Sequence, residues 1–280
     1  MKEACGAGFG KGKKMERVRE LFEDSRKIVI KIGSNILSDE NGNVNGNVMR
    51  NLVEQFCRFM KEGKRIIIVS SGAGVCGMAA INKWRRKDDI NYKQALCAIG
   101  QVELMNAYKD LFGKHGIHVG QMLLSREDFE DHVRDLHIRN TLFTLVDEGV
   151  VPVVNENDSV SVEEINSVGD NDTLGALTAI LWGADLFIIL SDIDGVYDKN
   201  PKNDAGAELI EEVYDIDGLL MEIDARGKSH FGTGGILTKI EAARRVNEYG
   251  ISMVLANGSK ENILQELAEG RGKATVFFGK

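Results

Sequence analysis

Length, composition and charge exclude several classes of protein. The chain has 280 residues, of which 43% are hydrophobic and 28% charged, which is typical of a globular protein and not of a disordered or fibrous one. Its 35 basic and 43 acidic side chains give a net charge of −8, which disfavours nucleic acid or an anionic membrane as a partner. The 31 glycines, against 2 prolines, indicate many places where the backbone bends sharply or approaches another group closely.

The cysteines and apolar runs predict a reduced, cytoplasmic protein. Four cysteines show neither paired metal-ligand spacing nor a disulfide framework, and we predict no metal held by protein ligands alone. No apolar run approaches the roughly 18 residues of a membrane helix, and we see no signal-peptide pattern. We therefore expect no membrane partner.

Strand and helix patterns alternate along the chain. Residues 1–26 are predicted to be a flexible tail with a short helix from Met15, and 27–280 a single domain. Continuous apolar or β-branched runs predict strands, and apolar residues at helical spacing predict helices. The predicted strands are 27–32, 65–70, 117–124, 150–154, 186–190, 251–256 and 274–278. The predicted helices are 48–62, 92–114, 128–148, 172–183, 215–224, 238–249 and 260–269.

This alternation predicts an α/β fold with a mainly parallel sheet, because parallel strands need crossover connections. The continuously apolar strands 65–70 and 186–190 indicate that helices cover both faces of the sheet. Ligands of such sheets bind outside the carboxyl ends of the strands. The residues that follow each strand are therefore the candidate site.

The first strand carries Lys31 and ends before Gly33 and Ser34. A lysine in a buried strand is unfavourable unless it is paired or functional, although it could also extend its ammonium group to the sheet edge. The second strand is followed by Gly72, Gly74 and Gly77 in a GxGxxG pattern. That pattern is typical of dinucleotide binding, but backbone amides that hold another anion at a helix N-terminus explain it as well.

The later strands are followed by polar and glycine-rich loops. Asn and Asp residues at 155–158 and 170–172 outnumber what helix capping explains, since one cap needs one residue. Ser191 and Asp192 follow the strand at 186–190. Lys239 follows a glycine run at 232–235, where Thr238 and Glu241 fit a capping box. A lysine near a helix N-terminus adds positive charge where anions are already favoured.

Two lysines and several glycine loops suit a polyphosphate together with a second anion. No Walker lysine and no protein-kinase HRD or DFG set is present. No histidine or cysteine stands out as a base or nucleophile either. Phosphoryl transfer to a carboxylate needs no base, because a carboxyl group of pKa about 4.3 is already ionised at pH 7. Catalysis would then consist of positioning and charge neutralisation.

Seven segments together resemble the glutamate 5-kinases of the amino acid kinase family. They are VIKIGSN at Val29, VSSGA at Val69, HVGQMLLSREDF at His118, VPVVNEND at Val151, VGDNDTLGAL at Val168, LSDIDGVYDKNP at Leu190 and GTGGILTK at Gly232. The resemblance runs in order from about Lys27 to Phe278. It implies a three-layer αβα sandwich and transfer of the ATP γ-phosphoryl group, with Mg²⁺ bridging the phosphates, to the γ-carboxylate of L-glutamate, the first step of proline biosynthesis.

The resemblance also assigns residues to roles. The catalytic residues would be Lys31 and Lys239, which neutralise the transferring group, and Asp170, which orients them. The glutamate-binding residues would be Ser71, Gly72, Ala73, Asn155, Asp158 and Asn171. The ATP-binding residues would be Lys31, Gly33, Ser34, Ser191, Asp192, Thr233, Gly234, Gly235 and Lys239.

The resemblance further implies a homo-oligomer, a dimer or tetramer, with L-proline as a candidate feedback inhibitor. Because the loop between NEND and GDND is about one residue longer than usual, proline inhibition stays open. We expect no C-terminal PUA domain and so no RNA contact. Two rival functions are an NAD-dependent dehydrogenase and a non-catalytic proline or glutamate sensor. The two lysines favour the kinase, since a sensor need not stabilise transferring charge.

Overall fold

A computed structural model describes residues 11–39, 41, 43–82, 89–161, 170–201, 203–226 and 235–279. The strands are β1 (Lys27–Ile32), β2 (Arg65–Ser70), β3 (Val119–Leu124), β4 (Val151–Glu156), β5 (Leu186–Ser191), β6 (Glu212–Val213), β7 (Ser252–Asn257) and β8 (Ala274–Phe277). The helices are α1 (Lys11–Asp24), α2 (Ser34–Leu37), α3 (Gly46–Lys61), α4 (Ala73–Ile81), α5 (Ile90–Gly113), α6 (Arg126–Glu130), α7 (His132–Asp147), α8 (Asp170–Trp182), α9 (Ile216–Arg226), α10 (Gly235–Asn247) and α11 (Ile263–Ala268).

The eight strands form one sheet in the order β3-β4-β2-β1-β5-β7-β8-β6. All neighbouring pairs are parallel except β7 and β8, which are antiparallel. The predicted mainly parallel sheet is thus confirmed. Because β1 lies between β2 and β5, the loops that follow these three strands lie side by side.

Helices cover both faces of the sheet, and each face has its own apolar core. Ile28, Ile30 and Ile32 of β1 pack in the core formed with α1, α3, α5 and α11. Val29, which points to the opposite face, packs in the core formed with α7, α8, α9 and α10. The predicted three-layer αβα sandwich is confirmed. Since side chains alternate along a strand, Lys31 lies on the face of Val29, against α8 and α10.

Helix α1 begins earlier than predicted, at Lys11, and ends at Asp24. Its Phe22 is buried in the first core, and the buried ammonium of Lys64 donates hydrogen bonds to the carbonyls of Phe22 and Ser25. The predicted tail therefore contains a helix that packs on the sheet. Residues 1–10 lie outside the described part of the chain, and the domain boundary before Lys27 stays a prediction.

Strands β1 and β2 have the predicted bounds, while shorter elements were not predicted. The two-residue strand β6 and the short helices α2 and α6 are too brief to give a periodic pattern.

The capping box predicted at Thr238 is wrong, because α10 already includes Gly235 and continues through Thr238. No helix within the described ranges is long and apolar enough to cross a membrane.

Helices α4 and α5 cross at a contact that only glycines allow. A Cβ atom on Gly77 would lie 1.8 Å from the carbonyl oxygen of Leu96, and a Cβ on Gly100 would lie 1.8 Å from that of Ala73. A Cβ on Gly74 would lie 3.2 Å from Cys97 Sγ. Glycines 74 and 77 of the GxGxxG pattern therefore serve helix packing.

The Gly77→Ala variant should lose about 1–3 kcal/mol of stability, because the added methyl group forces α4 and α5 apart. Gly113→Ala is the matched control, since a Cβ there meets nothing within 4 Å and alanine favours the helix over glycine. Chemical denaturation of both variants measures the difference. Equal stability of the two would contradict the packing role of Gly77.

Candidate active site

Two lysines and one aspartate form a buried charged cluster at the carboxyl end of the sheet. The ammonium of Lys31, on β1, lies 2.6 Å from Asp172 Oδ1, and that of Lys239, on α10, lies 3.1 Å from Asp172 Oδ2. The side chains of Lys31, Lys239 and Asp172 are 6%, 12% and 0% exposed. One carboxylate thus holds two cations that come from different parts of the chain.

The charge of this cluster follows from the environment of Asp172. Burial alone would raise the pKa of this carboxyl group, but the ammonium groups of Lys31 and Lys239 outweigh burial and lower the pKa below its usual value. Asp172 is therefore ionised at neutral pH. With both lysines protonated, the three side chains carry a formal charge of +1, which favours an anionic ligand.

The close packing of α8 on the sheet brings Asp172 to Lys31. A Cβ atom on Gly175 would lie 2.8 Å from the ring of Phe187 and 3.4 Å from Cβ of Lys31. Glycine at this position lets the helix approach β1 and β5, and Asp172 lies one turn earlier on the same helix. The glycine excess in the composition thus has a direct role in building the site.

Thr238 contributes to the cluster instead of capping a helix. Its hydroxyl lies 3.0 Å from Asp172 Oδ2 and 3.0 Å from the carbonyl oxygen of Gly235. The ammonium of Lys239 also donates to the Gly235 carbonyl, at 3.2 Å. The first turn of α10 is thereby tied to the first turn of α8.

A buried network of polar side chains lies beside the charged cluster. Asn171 Nδ2 donates to Ser71 Oγ at 2.9 Å and to Asn155 Oδ1 at 3.2 Å. Asn155 Oδ1 also accepts the backbone N–H of Glu156 at 2.9 Å, and Asn155 Nδ2 donates to Gln101 Oε1 at 2.8 Å. The structure therefore brings together three of the predicted glutamate-binding residues and adds Gln101, which the sequence analysis did not select.

A pocket of about 190 Å³ opens next to this network. Two buried acids line it, Glu156 and Asp158, together with Gln101. The remaining lining residues are Cys97, Ala98, Val102, Gln121, Leu123 and Ser159. A lining that contains both carboxylates and amides suits a small ligand that carries both an ammonium and a carboxylate.

The loops after β1 and β5 meet on the other side of the charged cluster. Asn35 Nδ2 donates to Asp192 Oδ2 at 3.0 Å, and Ser191 Oγ donates to Asp192 Oδ1 at 3.1 Å. Burial raises the pKa of Asp192, but these hydrogen bonds and the charge of Lys239 lower it overall. Gly33 donates its N–H to the carbonyl of Leu190. The predicted nucleotide-binding residues of these two loops are thus adjacent.

The remaining predicted residues are placed as follows. Ser34 begins α2, and Gly72 precedes Ala73, the first residue of α4, with a φ of +99° that favours glycine. Thr233, Gly234 and the side chain of Asp170 lie outside the described residues, so the orienting role of Asp170 stays a prediction. The contact with both lysines is made by Asp172. Asp172 belongs to the polar group at 170–172 that outnumbers the need for helix caps, but no catalytic role was predicted for it.

No group of three or more His, Cys, Asp or Glu side chains that could hold a metal ion occurs in the part of the chain that the structure describes. A dinucleotide site also needs an acidic residue at the end of the next strand, where it holds the ribose. Asp89 accepts the backbone N–H of Tyr92 and caps α5; it does not end a strand. The GxGxxG pattern thus lacks the structural context of a dinucleotide site.

Comparisons with known proteins agree with this architecture. The Amino acid kinase family matches residues 26–257. The chain is similar to the glutamate 5-kinase of Alkaliphilus metalliredigens (strain QYMF), with 60% identity over 93% of this chain and 98% of that protein. It is 58% identical to the glutamate 5-kinase of Alkaliphilus oremlandii (strain OhILAs), over 93% of this chain and 99% of that protein. The crystal structure of UMP kinase from Ureaplasma parvum superposes with a TM-score of 0.64 at 16% identity, over 91% of this chain and 99% of that one.

The αβα fold and the family match define the class of protein: the chain belongs to the amino acid kinase family. Within this family its two Alkaliphilus relatives are glutamate 5-kinases, so the resemblance identified in the sequence is confirmed. The likeness to UMP kinase concerns the fold alone. Family membership, with the packing roles of Gly74 and Gly77, leaves the dehydrogenase alternative without support.

Proposed function

We propose that this protein transfers the γ-phosphoryl group of ATP to the γ-carboxylate of L-glutamate, as a glutamate 5-kinase of proline biosynthesis. The observation that carries the proposal is the convergence of Lys31 and Lys239 on Asp172. The amide network next to this cluster reaches the pocket at Gln101, and the charge of Lys239 acts on Asp192 in the loop after β5. An acceptor and a polyphosphate could therefore meet at the two ammonium groups.

The reaction needs positioning and charge neutralisation more than acid–base chemistry. A γ-carboxylate is already ionised near pH 7, so no base has to remove a proton from it. Lys31 and Lys239 each carry three hydrogens; Asp172 accepts one from each, and the carbonyl of Gly235 accepts another from Lys239. The remaining hydrogens can stabilise the negative charge that spreads over the transferring group. Asp172 keeps the two ammonium groups fixed and close together.

The residues of the described site fit ATP through their charge. Two lysines against one carboxylate leave a positive charge that a polyphosphate neutralises. The Gly33 and Ser34 turn and the pair Ser191 and Asp192 are the groups that would hold the nucleotide, with Thr233, Gly234 and Gly235 of the glycine run. Mg²⁺ bound together with ATP would neutralise part of the charge of the phosphates.

The pocket and the amide network would hold the amino-acid acceptor. Asn155, Asn171 and Ser71 supply neutral hydrogen-bonding groups in a fixed arrangement. Asp158 and Glu156 suit the α-ammonium group of an amino acid, because opposite charges in a buried site attract strongly. The γ-carboxylate would then point away from these acids, toward the lysines.

Trapping the acyl phosphate with hydroxylamine tests the proposed function. Purified protein with Mg-ATP, L-glutamate and hydroxylamine should form glutamyl hydroxamate, and omission of glutamate should abolish it. Binding of NADH without binding of Mg-ATP would support a dehydrogenase. Binding of glutamate or proline without turnover of ATP would support a sensor. Either result would overturn the kinase proposal.

The Asp158→Ala variant should raise the KM for glutamate by roughly 10-fold or more, because a charged hydrogen-bonding partner contributes about 1.5–3 kcal/mol. The KM for ATP should change little. Asp110→Ala, an exposed change on α5, is the matched control. Steady-state kinetics with each substrate varied separately gives both constants. A larger increase in the KM for ATP than in the KM for glutamate would place Asp158 on the nucleotide side of the site.

Three further properties stay proposals. L-Proline is a candidate inhibitor that would compete at the glutamate pocket, and adding it to the hydroxamate assay tests this. A dimer or tetramer is expected from the family resemblance, and light scattering of the purified protein measures the oligomeric state. A cytoplasmic location is expected for the same biosynthetic role, and cell fractionation tests it.

A further inference from the structure

Gln101 is a polar residue on the buried side of α5. The helix buries a stripe of mostly apolar residues, namely Leu96, Cys97, Gly100, Gln101, Leu104, Tyr108 and Phe112. Gln101 is only 8% exposed and lines the 190 Å³ pocket with Glu156 and Asp158. The neighbouring Gly100 lets α5 pack closely on α4, because a Cβ there would lie 1.8 Å from the carbonyl oxygen of Ala73.

The hydrogen bonds around Asn155 fix which end of each amide faces which partner. The backbone N–H of Glu156 can only donate, so the atom that receives it at 2.9 Å must be the oxygen of Asn155. The Asn155 amide nitrogen must then be the group that faces Gln101, at 2.8 Å. An amide nitrogen needs an acceptor, so Gln101 presents its Oε1 to Asn155.

This assignment leaves the Nε2 group of Gln101 for the pocket. Its oxygen is engaged by Asn155, and its nitrogen carries two hydrogens that have no partner among the described residues. The nitrogen is also accessible to solvent. Among the described residues, the fully buried polar atoms without a hydrogen-bond partner do not include Gln101 Nε2. A fixed, accessible N–H donor in a pocket selects a ligand with an acceptor oxygen.

We propose that Gln101 is a specificity-determining residue that donates a hydrogen bond from Nε2 to the α-carboxylate of the amino-acid substrate. The assignment rests on the proposed function. Asp158 and Glu156 in the same pocket suit the α-ammonium group, so the α-carbon end of the substrate lies there, and the carboxylate attached to that carbon is the acceptor within reach. Gln101 thereby distinguishes an α-amino acid from an amine that lacks the α-carboxylate.

Comparison of L-glutamate with 4-aminobutyrate, which lacks only the α-carboxylate, tests the proposal. The Gln101→Met variant should bind glutamate roughly 10- to 100-fold more weakly, since a hydrogen bond to a charged group contributes about 1.5–3 kcal/mol. Binding of 4-aminobutyrate, measured as the Ki against glutamate or by calorimetry, should change less than 3-fold. Equal weakening of both ligands would show a structural role only and would overturn the proposal.

A second variant separates contact with the substrate from support of Asn155. Gln101→Glu keeps an oxygen that accepts the hydrogen bond from Asn155 but has no N–H to donate. Glutamate binding should stay at least as weak as in Gln101→Met. Near-normal binding by Gln101→Glu would mean that Gln101 acts only through Asn155, against the proposal.

Controls keep this test separate from that of the function itself. Glu103→Met places the same residue on an exposed position of α5 and should behave as the wild type. Thermal midpoints of all variants are measured alongside. If the wild type fails to bind or turn over glutamate, the proposed function is wrong and this assignment with it. If the wild type is active and the variants match it, only the assignment of Gln101 is wrong.

Discussion

Asp172→Asn should lower kcat by roughly 10²- to 10³-fold, the usual effect of losing one group that organises charge stabilisation in the transition state. The asparagine has nearly the same shape, but it no longer carries the charge that holds Lys31 and Lys239 together. The ATP KM should stay the same or fall, because the two ammonium groups retain their attraction for phosphate. Steady-state kinetics separates the two constants. A rise in ATP KM with unchanged kcat would contradict the orienting role of Asp172.

The same variant should be less stable by about 3 kcal/mol at neutral pH, since removing one partner of a buried ion pair leaves uncompensated charge. The pKa of Asp172 is lowered in the folded state, so its stabilising effect is present above the pKa of the unfolded chain. That effect is lost as the pH falls through the folded pKa. The stability difference between wild type and Asp172→Asn should therefore narrow in acid.

Asp217→Asn is the matched control for both measurements. Asp217 pairs with Arg244 on the surface, where the two side chains are 55% and 54% exposed. Exposed pairs contribute at most about 1 kcal/mol, so this variant should keep wild-type turnover and stability. Denaturation at several pH values measures the free energy of unfolding of the wild type, Asp172→Asn and Asp217→Asn. A constant difference down to strong acid would argue against the ionised state of Asp172.

Much of the site follows from which residues come after each strand. Parallel strands carry their ligand loops at one edge, so Lys31, Ser71, Asn155 and Ser191 could be grouped before the structure was known. The alternation of side chains along β1 then places Lys31 on one definite face of the sheet. The sequence does not show which helix residues contact Lys31 on that face.

The contact of Asp172 with Lys31 could not be inferred from the sequence. Whether the Asp172 side chain reaches Lys31 depends on how α8 packs on the sheet, and that packing depends on the close approach at Gly175. Gln101 was missed for a similar reason, although a glutamine within a buried apolar stripe is a signal that could have selected it.

Glycine patterns were the least specific signal. In dinucleotide sites the third glycine of GxGxxG allows close packing between a helix and a strand, whereas here Gly77 allows close packing of α4 on α5. The same physical need for a missing Cβ gives the same sequence pattern. The predicted capping box at Thr238 was wrong because α10 already includes Gly235. Glycine is unfavourable in helices, so the sequence pattern placed the start of the helix after the glycines.

Lys31→Ala and Lys239→Ala should each lower turnover by roughly 10²- to 10³-fold, because each removes one donor that stabilises the transferring phosphoryl group. Unlike Asp172→Asn, both should also raise the ATP KM, since the charge of the cluster falls from +1 to 0. Lys199→Ala is the control, because Lys199 forms an exposed pair with Asp204. Unchanged turnover in both lysine variants would mean that the site is misassigned.

The double variant Lys31→Ala/Lys239→Ala gives a sharper test of the cluster as one unit. If the two ammonium groups act together on one transferring group, the loss in the double variant should be well below the product of the two single losses, since residues that act as a unit are strongly non-additive. Asp172 would also lose both cationic partners, so its buried charge would be uncompensated, and the double variant should be the least stable of the three. Independent, multiplicative losses would mean that the lysines serve different steps.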